Sequence, residues 1–226
     1  MKIKGAIFDC DGTLVDSLGF WDIFYDEVSR AFLGNAPFSV DPEDDRAMRT
    51  QNVGFLARLM HEKYGIAESV QAMEDWCLAF DDRFYREVVE LKTGARELLA
   101  ALNQSGVKMC VASASEKHLV ELVLKKHGIL GFFEGVISCT EVGAGKDKPD
   151  VFLAAEKFLG TPHERTWVFE DSLLAIKTAK ASGFRVAGIY DSHTFGQNEA
   201  RELSDEYVDA GGSLSDLVPR LLERAE

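Results

Sequence analysis

Residues 3–17 read IKGAIFDCDGTLVDS. Ile3 to Phe8 is a short run dominated by apolar residues, and it ends on Asp9, Cys10, Asp11, Gly12 and Thr13. Such a run, closed by a turn signal, reads as a buried strand. The two aspartates then stand at the strand's C-terminal end, where ligands bind in open α/β sheets. Carboxylates two positions apart on an extended segment can divide the chemistry, one attacking while the other handles a proton. The same residues also suit an ordinary Asp-Gly turn. A calcium EF-hand loop is excluded, because the glycine comes too early.

Outward from this stretch, apolar runs of strand type recur at Val107–Ala112, Val136–Ser138, Trp167–Phe169 and Arg185–Ile189. Helical patterns lie between them and end at glycines: Ala95–Ser105 before Gly106, Glu116–His127 before Gly128, and Leu173–Ser182 before Gly183. The alternation predicts an α/β fold, a Rossmann-like parallel sheet with helices on both faces. Residues 16–90 break the rhythm with long helical patterns and no convincing strand. The expected organisation is a core of residues 1–15 and 91–226 with an inserted all-helical cap domain at 16–90. Phe20, Trp21, Phe24, Tyr25 and Phe32 fall at helical spacings, and the insertion holds 12 of the 23 aromatic residues, enough for a small core of its own. It also carries 16 acids and 7 bases, a net charge of −9 that makes it an acidic lid.

The whole chain, 226 residues with a formal charge of −13, repels nucleic acid and anionic membrane surfaces, so neither is an expected partner. Cys10, Cys77, Cys110 and Cys139 form no CxxC pair, which argues against a zinc knuckle or a disulfide scaffold and for a cytoplasmic location. The apolar stretch before Asp9 is too short for a signal-peptide core or a membrane span. Gly211, Gly212 and Ser213 lead into an amphipathic segment with Leu214, Leu217, Val218, Leu221 and Leu222. Such a segment packs on the core more often than it forms an interface, and a monomer is expected.

Three more clusters follow predicted strands. Ser113, Ala114, Ser115 and Glu116 have the S-x-x-E spacing of a capping box, and a hydroxyl with backbone N–H groups at a helix start also forms an anion site. Gly143, Ala144, Gly145 and Lys146 suggest a nucleotide P-loop only superficially, since Thr140 stands where the first glycine is required and Asp147 follows the lysine. Lys146 and Lys148 precede Pro149 and Asp150 at a helix start, where a lysine can neutralise a phosphate or simply face solvent. Glu170 and Asp171 close the Trp167–Phe169 run. Asp9, Asp11, Glu170 and Asp171 crowded together require raised pKa values or a bound cation, and an all-oxygen set points to magnesium. The five histidines show no HxxxH or HxH pairing and are expected at the surface.

DCDGTLVDS from Asp9, VASAS ending at Ser115, GKDKPDVF from Gly145 and VFEDSLLAI from Val168 together resemble the haloacid dehalogenase-like superfamily. The closer resemblance is to its β-phosphoglucomutase-like phosphatases and mutases, which carry a helical C1-type cap. The resemblance implies that Asp9 is the nucleophile and takes the phosphoryl group as an aspartyl-phosphate. Asp11 then protonates the leaving alcohol and activates water. Magnesium is held by Asp9, the backbone carbonyl of Asp11 and Asp171, with Glu170 a further ligand. Ser113 and the N–H of Ala114 bind the phosphoryl oxygens, and a lysine offsets their charge. The usual Lys-Pro-x-Pro-Asp motif reads Lys-Asp-Lys-Pro-Asp here, and counting back four positions from Asp150 selects Lys146, with Lys148 the alternative. Resembling mutases place a histidine in the first cap helix, whereas this chain has Leu18, Gly19, Phe20, Trp21 and Asp22. A phosphatase acting on a small phosphorylated metabolite is therefore expected over a sugar-phosphate mutase. A non-catalytic phospho-acceptor domain is a third possibility, disfavoured because such domains need only about 120 residues and place the phosphorylated aspartate on an internal strand.

Overall fold

The computed structural model describes residues 2–49 and 51–222. Met1, Thr50 and residues 223–226, which the expected domain ranges include, lie outside the described residues. The chain divides into two compact units, one running to Leu18 and resuming at Val89, the other Gly19–Val88.

The first unit is built on strands β1 (Gly5–Phe8), β2 (Val15–Asp16), β3 (Glu90–Leu91), β4 (Lys108–Ser113), β5 (Val136–Ser138), β6 (Thr166–Glu170), β7 (Arg185–Ile189) and β8 (Glu206–Val208). Six of them form one parallel sheet in the order β5-β4-β1-β6-β7-β8. The chain fills one side of β1 and then crosses to the other, so the strand order reverses at β1 and opens a crevice at its C-terminal end. Parallel register sets Phe8 opposite both Val111 and Phe169.

Buried strands need cover on each face, and the sequence alternates accordingly. Ile7, Cys110, Ala112, Val168 and Val186 share one core cluster with Val151, Phe152, Ala155 and Leu159 of a helix at Asp150–Leu159 and Ala175, Ile176 and Ala179 of a helix at Leu173–Ala181. The intervening residues Ala6, Phe8, Met109, Val111, Trp167 and Phe169 are buried too, with Phe8 stacked on Phe169 at 4.1 Å between centroids. Helices Ala95–Gln104, Lys117–Lys126 and Leu217–Leu222 supply buried Leu98, Leu102, Val120, Leu124 and Leu217. Each fully buried side chain of this size contributes about 1.5–3 kcal/mol. The final amphipathic segment packs within this unit through buried Leu214, Leu217 and Leu221. Among the described residues no helix is long and apolar enough to cross a membrane.

Three strands escape the periodicity of the sequence. β2 and β3 have two residues each, too few for any period to show, and β8 (Glu-Tyr-Val) lacks the apolar run that marks the equally short β5 (Val-Ile-Ser). Asp16 and Glu90, the two ends of the expected insertion, are antiparallel partners in β2–β3 and belong with the sheet unit.

The helical unit contains Phe20–Phe32, Pro42–Met48, Val53–Glu62 and Val70–Arg83. Asn52 and Ser69 start the last two by accepting hydrogen bonds from Phe55 N and Ala72 N, the usual work of an N-cap side chain. Its core is aromatic. Phe20 lies 5.2 Å from Phe80 and 5.0 Å from Phe84, and Trp76 stacks on Phe80 at 8° between planes. Spacings of three and four residues along Phe20–Phe32 and Val70–Arg83 turn these rings inward, as the sequence pattern requires.

Asp81 adjoins that core, and burial raises its pKa to about 7. The folded unit therefore binds the proton more tightly than the unfolded chain does. The carboxyl group costs nothing on account of its charge below pH 4, and the penalty grows until pH 7. Asp81→Asn should raise stability at pH 8 by roughly 2 kcal/mol, allowing for partial exposure, with the gain vanishing near pH 4. Urea unfolding at the two pH values reads this difference.

Candidate active site

The site lies at the C-terminal ends of β1, β4 and β6. Asp9 directly follows β1, and its backbone N–H donates to Phe169 O at 2.9 Å, which fixes it beside the end of β6. The loop then folds on itself: Leu14 N and Val15 N both donate to Cys10 O, at 2.9 and 3.0 Å. This turn requires Gly12, whose φ of +84° suits glycine. A Cβ at that position would also stand 2.7 Å from Asp171 Oδ2. The glycine of the sequence motif thus serves both the turn and the close approach of a second acidic strand end.

Asp9, Glu170 and Asp171 are buried, and each offers a carboxylate oxygen within 4.8 Å of the others. Lys146 donates to Asp9 Oδ1 and, at 2.6 Å, to Glu170 Oε1. Thr13 Oγ1 donates to Asp171 Oδ1 at 2.9 Å, and Ser172 N donates to Glu170 Oε2 at 2.9 Å. Burial, partly countered by Lys146 and reinforced by Glu170 and Asp11, pushes Asp9 up to about 7. Burial and the neighbouring Glu170 and Asp9 charges hold Asp171 well above the usual carboxylate range. Burial works against the Lys146 ammonium, but the two carboxylates outweigh it and raise its pKa. Among the described residues this is the one acidic or histidine-bearing group with metal-ligand spacing, and it contains no histidine. Three close buried carboxyl groups with one cation, two of them reluctant to ionise, fit a divalent metal, which would stabilise their charged forms.

Asp11 does not join the trio. Ser17 Oγ donates to its Oδ1 at 2.6 Å and Ser115 Oγ to its Oδ2 at 2.7 Å. The expected crowd of four acidic side chains is therefore three: on a continuing strand Asp9 and Asp11 would share a face, but the chain turns on itself at Cys10 and two hydroxyls hold Asp11. Neither serine's contact was anticipated from the sequence. Both lie in motif segments, but spacing alone does not show that they share one carboxylate. Cys10, between the acids, is buried, and burial with the Asp11 and Asp9 charges pushes its thiol well up, so it is no competing nucleophile.

Ser113 ends β4, is buried, and accepts from Ser115 N at 3.0 Å, with Ala114 exposed beside it. The alternative of a capping box with Glu116 is not realised. The helix begins at Lys117, Glu116 is its N-cap residue, and no side chain caps it. Lys146 reaches the acids from the loop before the Asp150–Leu159 helix, whereas Lys148 is exposed. Four of the five histidines are bonded rather than free at the surface: His127 Nε2 meets Val89 O at 2.9 Å, His163 bridges Glu156 and Ser182 O, His61 meets Ile66 O, and His193 Nδ1 meets Asp191 Oδ1 at 3.2 Å.

Comparison with known proteins identifies the family. Residues 3–183 match the family of haloacid dehalogenase-like hydrolases. The chain belongs to that family. A relative, the mitochondrial (DL)-glycerol-3-phosphatase 1 of Arabidopsis thaliana, is 30% identical over 201 residues, 84% of this chain and 65% of that protein. The phosphorylated carbohydrates phosphatase of Thermotoga maritima is 25% identical over 191 residues, covering 84% and 87% of the two chains. The crystal structure of CbbY from Rhodobacter sphaeroides with phosphate superimposes with a TM-score of 0.72 at 25% identity, covering 95% and 96%. As a haloacid dehalogenase-like phosphatase, the chain is a phosphoric monoester hydrolase.

Lys146→Met leaves Asp9 and Glu170 buried without their cation. In chelator-containing buffer it should lower stability by about 3 kcal/mol, the cost of breaking a buried ion pair from one side. Denaturant titration against the parent measures it.

Proposed function

We propose that the chain is a magnesium-dependent phosphatase that hydrolyses a small phosphate monoester, a sugar phosphate or similar metabolite, through an aspartyl-phosphate on Asp9. The supporting observation is the separation of two carboxylates of one loop: Asp9 beside Lys146 and the buried acids, Asp11 outside them on two hydroxyls. Asp9, the backbone carbonyl of Asp11 and Asp171, with Glu170 in support, would hold magnesium, which supplies positive charge to offset the acids and the phosphoryl oxygens.

An Asp9 carboxylate oxygen attacks phosphorus while the bond to the ester oxygen breaks, and Asp11 gives its proton to the departing alcohol. Asp11 then takes a proton from water, whose oxygen attacks the same phosphorus and returns Asp9 as carboxylate with free phosphate. Ser113 and the N–H of Ala114 bind the phosphoryl oxygens, and the Lys146 ammonium balances their charge. Placing groups in line and neutralising spread charge supply most of the rate in phosphoryl transfer. The absence of a histidine from Leu18 to Asp22 favours hydrolysis over isomerisation.

Asp9→Asn is near-isosteric, and it should reduce magnesium-dependent phosphate release at least about a thousandfold with the fold retained. Unchanged release by a clean preparation would remove Asp9 as nucleophile. Chelation of magnesium should stop turnover by the parent enzyme. With hexose 1-phosphate the product should be free phosphate, not the 6-phosphate.

A further inference from the structure

The two hydroxyls on Asp11 are not equivalent. Ser17 is six residues away on the same stretch of chain, so its bond to Oδ1 holds the carboxylate only relative to its own loop. Ser115 is 104 residues away and reaches Oδ2 at 2.7 Å from the loop after β4. β1 and β4 are adjacent parallel strands, and Asp11 and Ser115 lie just past their C-terminal ends. The Ser115 bond is therefore the one that fixes Asp11 relative to a second strand.

That second strand ends on Ser113. Ser115 N donates to Ser113 Oγ at 3.0 Å, so Ser115 spends its backbone donor on that buried hydroxyl and its side-chain donor on Asp11. Accepting from Ser115 leaves the Ser113 hydroxyl proton for a phosphoryl oxygen. A serine this close to a helix start ordinarily caps it, yet the Lys117–Lys126 helix goes without a side-chain cap. One residue thus joins the group that meets the phosphoryl oxygens to the group that meets the departing alcohol. In-line transfer demands such a link, because the acid must reach the leaving oxygen on the side of phosphorus opposite Asp9, and an ångström of misplacement costs about a hundredfold.

We propose that Ser115 is a positioning residue for the reaction: it ties Asp11 to Ser113, so that proton delivery to the departing alcohol is set in register with phosphoryl binding. The proton passes from Asp11 to the ester oxygen as the P–O bond breaks, and the Ser115 hydroxyl keeps its own. The proposal rests on the phosphatase reading above.

Ser115→Ala removes the hydroxyl and keeps the N–H, Ser115→Thr keeps both, and Ser115→Cys is near-isosteric but a weak donor. Phosphate release with magnesium is measured for wild type and the three variants on an alkyl phosphate, the faster of glycerol phosphate and hexose 6-phosphate, whose alcohol departs only with a proton. The second ester is p-nitrophenyl phosphate, whose phenolate departs as a stable anion. The comparison uses kcat/KM, which ends with departure of the alcohol and precedes attack by water. Ser115→Ala should lose about thirty- to a hundredfold on the alkyl phosphate and no more than about threefold on p-nitrophenyl phosphate. Ser115→Cys should show the same split, and Ser115→Thr should recover most of the loss. Equal losses on the two esters in both Ser115→Ala and Ser115→Cys, or no loss on the alkyl phosphate, overturn the positioning role while leaving the phosphatase standing. Failure of wild type to release phosphate from any of these esters overturns the phosphatase reading instead.

Discussion

Three carboxyl groups buried at the end of one sheet repel one another, and the surrounding structure is arranged to tolerate them. Register brings them together: Phe8 pairs with Phe169, and the next residues on the two strands are Asp9 and Glu170. A slip of one position would send either acid to the opposite face. Lys146 answers the repulsion with a charge, Thr13 and Ser172 with hydrogen bonds. Taken alone, a hydrophobic replacement of such a cluster would often be as stable or more so, so its retention points to chemistry rather than to folding.

The loop between Asp9 and Ser17 separates two acids that the chain places only two positions apart. One faces the lysine and its acidic neighbours in a site of low dielectric. The other meets two hydroxyls from different segments, and each of its oxygens has a defined partner. Different surroundings let identical side chains take different parts in one reaction, with environment rather than residue type setting the role.

The alternation of apolar runs with glycine-ended helices made the sheet and its order of elements legible, since burial on both faces writes itself into composition. The Asp9–Thr13 and Glu170–Asp171 segments were legible for a different reason, because acids at strand ends are rare without a task. β2 and β3, of two residues each, hold no period, and β8 lacks the apolar run that marked the equally short β5, so these three left no trace. The SxxE spacing at Ser113 misled because tertiary pairing of Ser115 with Asp11 won over local capping. Ser115 on Asp11 and Thr13 on Asp171 depend on which distant segments approach, and no local pattern encodes that.

The two-residue ladder of β2 and β3 has a further consequence. Because Asp16 and Glu90 are partners, the chain leaves and rejoins the catalytic framework at points about 5 Å apart. Closure entropy grows only slowly with the length of an excursion between such neighbours. This junction can therefore accept segments of very different size without disturbing the acids one turn away, which makes it a natural graft point. The whole intervening stretch is thereby exchangeable, and with it any contribution to molecular choice, while the acids keep their framework.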